Sequence, residues 1–128
     1  MKLLLDTHAL LWFAAEKSRL SAATLRQLES DENEVFFSCA SIWEISIKVS
    51  LRKLNLALNV EHEFSTLLSS NGLAELPIVY AHAARVSTYP LHHRDPFDRI
   101  LVAQAEIERM TLVSKDEFLD AYGIRRLW

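Results

Sequence analysis

Short apolar runs alternate with stretches of helical periodicity along the chain: "KLLLD" (2 to 6), "EVFFS" (34 to 38), "ELPIV" (75 to 79), "TLVS" (111 to 114) and "IRRLW" (124 to 128). Five short runs separated by helical segments predict an α/β fold in three layers, a five-stranded parallel sheet flanked by helices on both faces. Ser21 is placed to cap "SAATLRQLES", Ser41 to cap "SIWEISIKVSLRKL", and Asp95-Pro96 opens "PFDRILVAQAEIER" with proline at the first helical position. A weaker amphipathic stretch runs from Val60 to Leu68, and Asn71-Gly72 and Tyr122-Gly123 read as turns. Segment 53 to 62, with Leu54, Leu56 and Leu58 alternating, fits a short extended stretch or a helix tail.

Against this pattern, acids stand at or near the ends of the apolar runs: Asp6 in "LLLDTHALLW", Glu44 in "VFFSCASIWEISIK", Asp98 in "HRDPFDRILVAQA" and Asp116 in "TLVSKDEF". An α/β sheet collects ligands outside the carboxyl ends of its strands, so four acids far apart in sequence are expected to meet in one cleft. Each also has a purely structural reading. Ser41-x-x-Glu44 and Ser114-x-x-Glu117 are capping boxes, Asp116 would then sit in a first helical turn, and Asp98 is favoured by the helix dipole behind the N-cap Asp95. Asp6 is harder to explain in that way, because apolar residues flank it and an unpaired charge there is costly, although it too can cap the helix from Thr7.

The two readings are compatible, since caps of helices that follow parallel strands all lie at one edge of the sheet. Clustered carboxylates raise one another's pKa unless a cation intervenes. Carboxylate oxygens suit hard cations such as Mg2+ or Mn2+. Two such ions about 4 Å apart support hydrolysis of a phosphodiester, one activating water and the other stabilising the leaving oxygen.

Composition narrows the alternatives. With 128 residues, half of them apolar, and only 2 Gly and 3 Pro, the chain is expected to form one ordered domain spanning 1 to 128. The single cysteine, Cys39, excludes an internal disulfide and a multi-cysteine zinc site, and makes a reducing cytoplasm the expected location. Its apolar neighbours favour an inert thiol over a nucleophile. Asp6 and His8 interrupt the first apolar stretch before it reaches the length of a signal or membrane segment.

A net charge of −3 gives no global basic footprint for nucleic acid. Local cations remain available, and Lys48, Arg52, Arg94 and Arg99 are the candidates for phosphate contacts. Lys48 and Arg52 follow Glu44 at helical spacing, which also suits a solvated salt-bridge ladder. With only Gly72 and Gly123, no phosphate-binding glycine loop can be written, and the five histidines lack zinc-hydrolase spacing.

The segments "LLLDTHALLWF", "ASIWEISIK", "HRDPFDRILVAQA" and "LVSKD" occur in an order and approximate spacing that resembles PIN-domain proteins, and more narrowly VapC-type toxins of type II toxin-antitoxin pairs. The resemblance covers essentially the full length, and the third segment is its most specific part. It implies a homodimer, Mg2+ or Mn2+ dependence, and endoribonuclease activity restrained by a cognate antitoxin, with higher toxin-antitoxin assembly. It places the family's acids on Asp6, Glu44, Asp98 and Asp116, with Asp95 as N-cap. His8 departs from the pattern, standing where many relatives carry a small polar residue. Two rivals remain: a PIN-like module that binds RNA or protein without cutting, and a receiver-type phosphotransfer domain, which would want a second acid beside Asp6.

Overall fold

The computed structural model describes all of residues 1–128. Five strands form, β1 (Lys2–Leu5), β2 (Glu34–Ser38), β3 (Ala74–Leu76), β4 (Thr111–Val113) and β5 (Arg126–Leu127). Every pairing between them is parallel, in the order β3-β2-β1-β4-β5. β1 lies at the centre, with Leu3, Leu4 and Leu5 fully buried. Burial on both faces is what an unbroken leucine run favours, each side chain contributing about 1.5–3 kcal/mol.

Strand residues alternate between two helical layers. Leu3, Leu5, Val35, Phe37 and Val113 pack against Leu10 and Phe13 of α1 (Thr7–Ala15), Leu28 of α2 (Ala22–Leu28), Ile45 of α3 (Cys39–Ser50) and Leu68 of α4 (Ser65–Ser70). Leu4 and Leu112 point the other way, onto Leu101, Val102 and Ala105 of α6 (Pro96–Ile107). The three-layer architecture expected from the sequence is therefore present. Chain order reverses at β1, whose successor β2 lies on one side and whose other neighbour β4 lies on the opposite side. That reversal opens a crevice outside the carboxyl ends of β1 and β4, where sheets of this kind bind ligands.

Several local expectations require correction. α3 begins at Cys39, capped by Ser38, whose hydroxyl accepts the Ala40 N–H at 3.0 Å. Ser41 is instead a buried residue inside the helix, so no Ser41–Glu44 capping box forms. Ser38 wins because it sits at the strand end in extended geometry, where a cap belongs. The Ser114–Glu117 box is likewise absent: Asp116 caps the short 3-10 helix Glu117–Tyr122, and Ser114 Oγ accepts the Asp116 N–H. The third strand ends at Leu76, and a short helix not foreseen in the sequence, α5 (Tyr80–Arg85), follows it. Val60–Phe64 forms a π-helical turn running into α4, and Gly72 and Gly123 occupy their turns at φ of +79° and +74°.

Candidate metal centre

The four acids singled out by the sequence converge. Asp6, Glu44, Asp98 and Asp116 line one cavity of about 370 Å³, together with Asp95 and His93. Thr7, His8, Trp12 and Lys115 complete its wall.

Each acid is held by the junction it belongs to. Asp6 directly follows β1; its N–H donates to Val113 O at 3.0 Å, extending the β1–β4 ladder, while Oδ1 accepts the Ala9 N–H at 2.7 Å and caps α1. Glu44, one turn into α3, is buried, and its two oxygens are engaged separately. Oε1 accepts from the Thr7 hydroxyl at 2.7 Å, and Oε2 from Lys48 Nζ at 2.7 Å. Thr7 thereby ties the start of α1 to α3. Asp98 stands in the first turn of α6 behind Asp95, whose Oδ1 accepts the N–H of Phe97 at 2.8 Å and of Asp98 at 3.4 Å. Asp116 Oδ1 accepts the Phe118 N–H at 3.0 Å, leaving Oδ2 to His93.

His93 is the residue whose role sequence reasoning missed. Its ring Nδ1 accepts the Asp95 N–H at 3.2 Å, which puts the proton of the neutral ring on Nε2. Nε2 then donates to Asp116 Oδ2 at 2.8 Å and lies 3.4 Å from Asp98 Oδ2. The donor atoms of His93, Asp98 and Asp116 all lie within 4.8 Å of one another. Only the adjacency of His93 to Asp95 hinted at this, because loop residues carry no periodicity.

Electrostatics single out two of the acids. Burial pushes the Asp6 carboxyl above its ordinary range, opposed by the Ser114 hydroxyl and the Ala9 N–H and reinforced by the negative charge of Glu44. Burial also raises Asp98, and the neighbouring charges of Asp95 and Asp6 add to it, bringing Asp98 to about 7. Both carboxylates thus lack enough positive partner in the protein itself. A set of four carboxylates with two destabilised as anions fits a divalent cation, and oxygen donors suit a hard one. Asp6, Asp98 and Asp116 are the residues best placed to hold it. Glu44 can join by sharing an oxygen now bound to Thr7 or Lys48.

The basic candidates separate. Lys48 reaches the site through Glu44. Arg52 lies beyond the end of α3 at φ +57°, so the Glu44–Lys48–Arg52 ladder stops at Lys48. Arg94 is exposed and outside the cavity wall. Arg99 donates to the carbonyls of Val86 and Tyr89, both at 3.2 Å, and so anchors the segment before α6 instead of facing the cleft. Lys115 stands exposed on the cavity wall. Cys39 is half-buried at the start of α3, where burial and the Glu75 carboxylate push its thiol up, against any nucleophilic role.

Comparison with known proteins agrees with this fold. The chain is similar in fold to VapBC2 from Rickettsia felis, solved bound to a DNA fragment from its promoter, with a TM-score of 0.75 and 16% identity over 99% of this chain and 98% of that one. It is also similar to FitAcB from Neisseria gonorrhoeae (TM-score 0.63, 19% identity, 98% and 96% covered). VapBC-1 from nontypeable Haemophilus influenzae gives a TM-score of 0.67 at 15% identity, with 99% and 97% covered. No curated protein matches the chain. The PIN domain family model matches residues 3–124, and with the acids of that span gathered at the sheet's switch point, the chain belongs to the PIN-domain family.

Proposed function

We propose that this protein is a metal-dependent endoribonuclease, the toxin of a type II toxin-antitoxin pair, with Mg2+ or Mn2+ as its cofactor. PIN domains are generally nucleases. The observation that carries the proposal is the convergence of Asp6, Glu44, Asp98 and Asp116 on one cavity; burial and like charge raise Asp98 there to about 7. The bound cation would supply Lewis-acid stabilisation of phosphodiester charge and a water made nucleophilic near neutral pH. The chain's own residues do the rest. Asp6, Asp98 and Asp116 would hold the ion, while His93 and Thr7 fix the orientation of Asp116 and Glu44. Lys48 and Lys115 are the cations beside the site able to receive substrate phosphates.

The toxin assignment is supported by the likeness to chains solved in VapBC and FitAB assemblies, one of them on promoter DNA. A cognate antitoxin, a homodimer and higher toxin-antitoxin assembly follow from that reading. The test is cleavage of RNA by purified, antitoxin-free protein with Mn2+, beside its Asp6→Asn and Asp98→Asn variants. Loss of cleavage by several orders of magnitude in both variants is expected. Equal activity of parent and variants rejects the proposal.

A further inference from the structure

On the rim of the acid cavity stands an aromatic step whose rings make no hydrogen bond to the carboxylates. Trp12 is the one apolar side chain in the cavity wall, and His8, one helical turn before it on α1, lies over it with ring centroids 5.6 Å apart and an interplanar angle of 29°. Trp12 is held from other sides. Trp128 meets it edge-on at 5.7 Å, and the Arg19 guanidinium lies 5.8 Å from its ring centre. The outer member, His8, is exposed. The step is thus a pre-ordered stack with a free upper surface, carried by the same helix that Asp6 caps. Helical rise puts Trp12 about 9 Å along the axis from Asp6 and His8 about 3 Å.

We propose that His8 and Trp12 form a nucleobase-binding platform, on which a base of single-stranded RNA next to the cleaved bond stacks. This rests on the nuclease reading given above and specifies its substrate. Several features favour a base as the occupant. An acid-lined cavity repels phosphates except where cations receive them, whereas the neutral π-face of a base is indifferent to that charge and attracted to aromatic rings. Holding Trp12 in place through Trp128 and Arg19 lowers the entropy lost on stacking. A base already paired in a duplex cannot splay onto the step, so single strands are selected over double-stranded RNA. The imidazole of His8 adds a hydrogen-bonding edge beside its stacking face, which gives the platform a means to prefer one base.

The test uses the full-length chain with Trp43→Phe, which removes the exposed tryptophan of a different groove, so that Trp12 and Trp128 report. Short oligouridylate, oligoadenylate, oligocytidylate and a blunt RNA duplex are titrated in Ca2+ and followed by tryptophan fluorescence. Cleavage of the same RNAs in Mn2+ is measured separately. Single strands are expected to quench the fluorescence and the duplex not, and His8→Ala and Trp12→Leu each to weaken single-strand binding by roughly tenfold. His8→Ala changes only an exposed side chain, so it keeps the test valid if Trp12→Leu disturbs the core. An RNA with one base replaced by an abasic residue beside the cut should lose a similar factor in kcat/KM with the parent and almost nothing with His8→Ala. If the protein cuts RNA but both variants bind single strands as tightly as the parent, the platform is wrong and the nuclease reading stands. If single strands quench and the variants weaken them while no RNA is cut, the platform stands and the nuclease reading falls. Quenching by none of the RNAs overturns the proposal.

Discussion

Asp98 concentrates the electrostatic tension of this protein in one carboxyl group. Its ordinary pKa of 3.8 rises to about 7 through burial and the charges of Asp95 and Asp6. Because the folded-state value lies above the unfolded one, the protonated form favours folding. The contribution is fully present below pH 3.8 and is lost as pH rises to about 7. Metal-free protein is therefore expected to lose thermal stability across that window, and Mn2+ to restore it at the upper end. Calorimetric titration with Mn2+ inside the window, in two buffers of different ionisation heat, should show a proton released on binding. A release of the same size in Asp98→Asn would refute the assignment.

His93 belongs to the same scale. With its tautomer set by the Asp95 amide, it orients Asp116 as a donor, and orienting partners of this kind are typically worth about 10–100-fold in metal affinity. His93→Ala should weaken Mn2+ binding by such a factor, as read by Mn2+ electron paramagnetic resonance, and an unchanged affinity would remove His93 from the site. The four acids were legible in the sequence because each stands at or near the end of an apolar run. The roles of His93 and Lys115 were not, although "LHHRD" already sets His93 near the start of α6, since neither a loop histidine nor a strand-end lysine disturbs any periodicity. Arg99 misled for the opposite reason: a cation beside a ligand acid looks like a phosphate contact, and only the fold reveals the Val86 and Tyr89 carbonyls that claim it.

At the scale of elements, the site is a meeting of caps. Asp6 caps α1, Asp95 caps α6 just ahead of Asp98, and Asp116 caps the 3-10 helix that follows β4. The helix ends were predicted well where proline or a lone serine marked them, at Pro96 and Ser21. In "SCAS" two serines compete, and the one at the strand end, Ser38, takes the role because only it has extended backbone geometry. α5 escaped notice because six residues are too few to establish a helical period. Asp95→Ala removes the acceptor for the Phe97 and Asp98 N–H groups and the fixed start of α6. It should cost about 1–2 kcal/mol of stability by denaturant unfolding. RNA cleavage should fall by more than that global loss explains, since Asp98 shifts with the helix end, and cleavage at the parental rate would separate the cap from the site.

Across the whole molecule, the sheet separates the two helical layers, and its central strand supplies leucines to both. Leu4 and Leu112 serve the α6 face, while Leu3 and Leu5 serve the α1 to α4 face. Leu112→Ala opens a void beneath α6 and is expected to destabilise by about 2–5 kcal/mol in chemical denaturation. A loss below about 1 kcal/mol would mean that layer is less tightly packed than its complete burial implies. The parallel order of the sheet was readable from alternation of runs and helices. The exposed Trp43 packs edge-on against Phe97 at 5.3 Å with 63% of its surface open, a placement that sequence alone does not choose for a tryptophan.

The central position of β1 also governs when the acid cavity can be completed. The ribosome makes β1 early, yet its neighbours on the two sides come from segments made at quite different times, β2 sooner and β4 much later. Asp6 is therefore synthesised well before the Asp116 it meets in the cavity. A growing chain exposes its leucines but has no assembled cavity, so a protein proposed to cut RNA cannot attack the message or ribosome producing it until the β4 segment emerges and docks. On the nuclease reading proposed above, closure of the β1–β4 edge and completion of the acid cavity are one event.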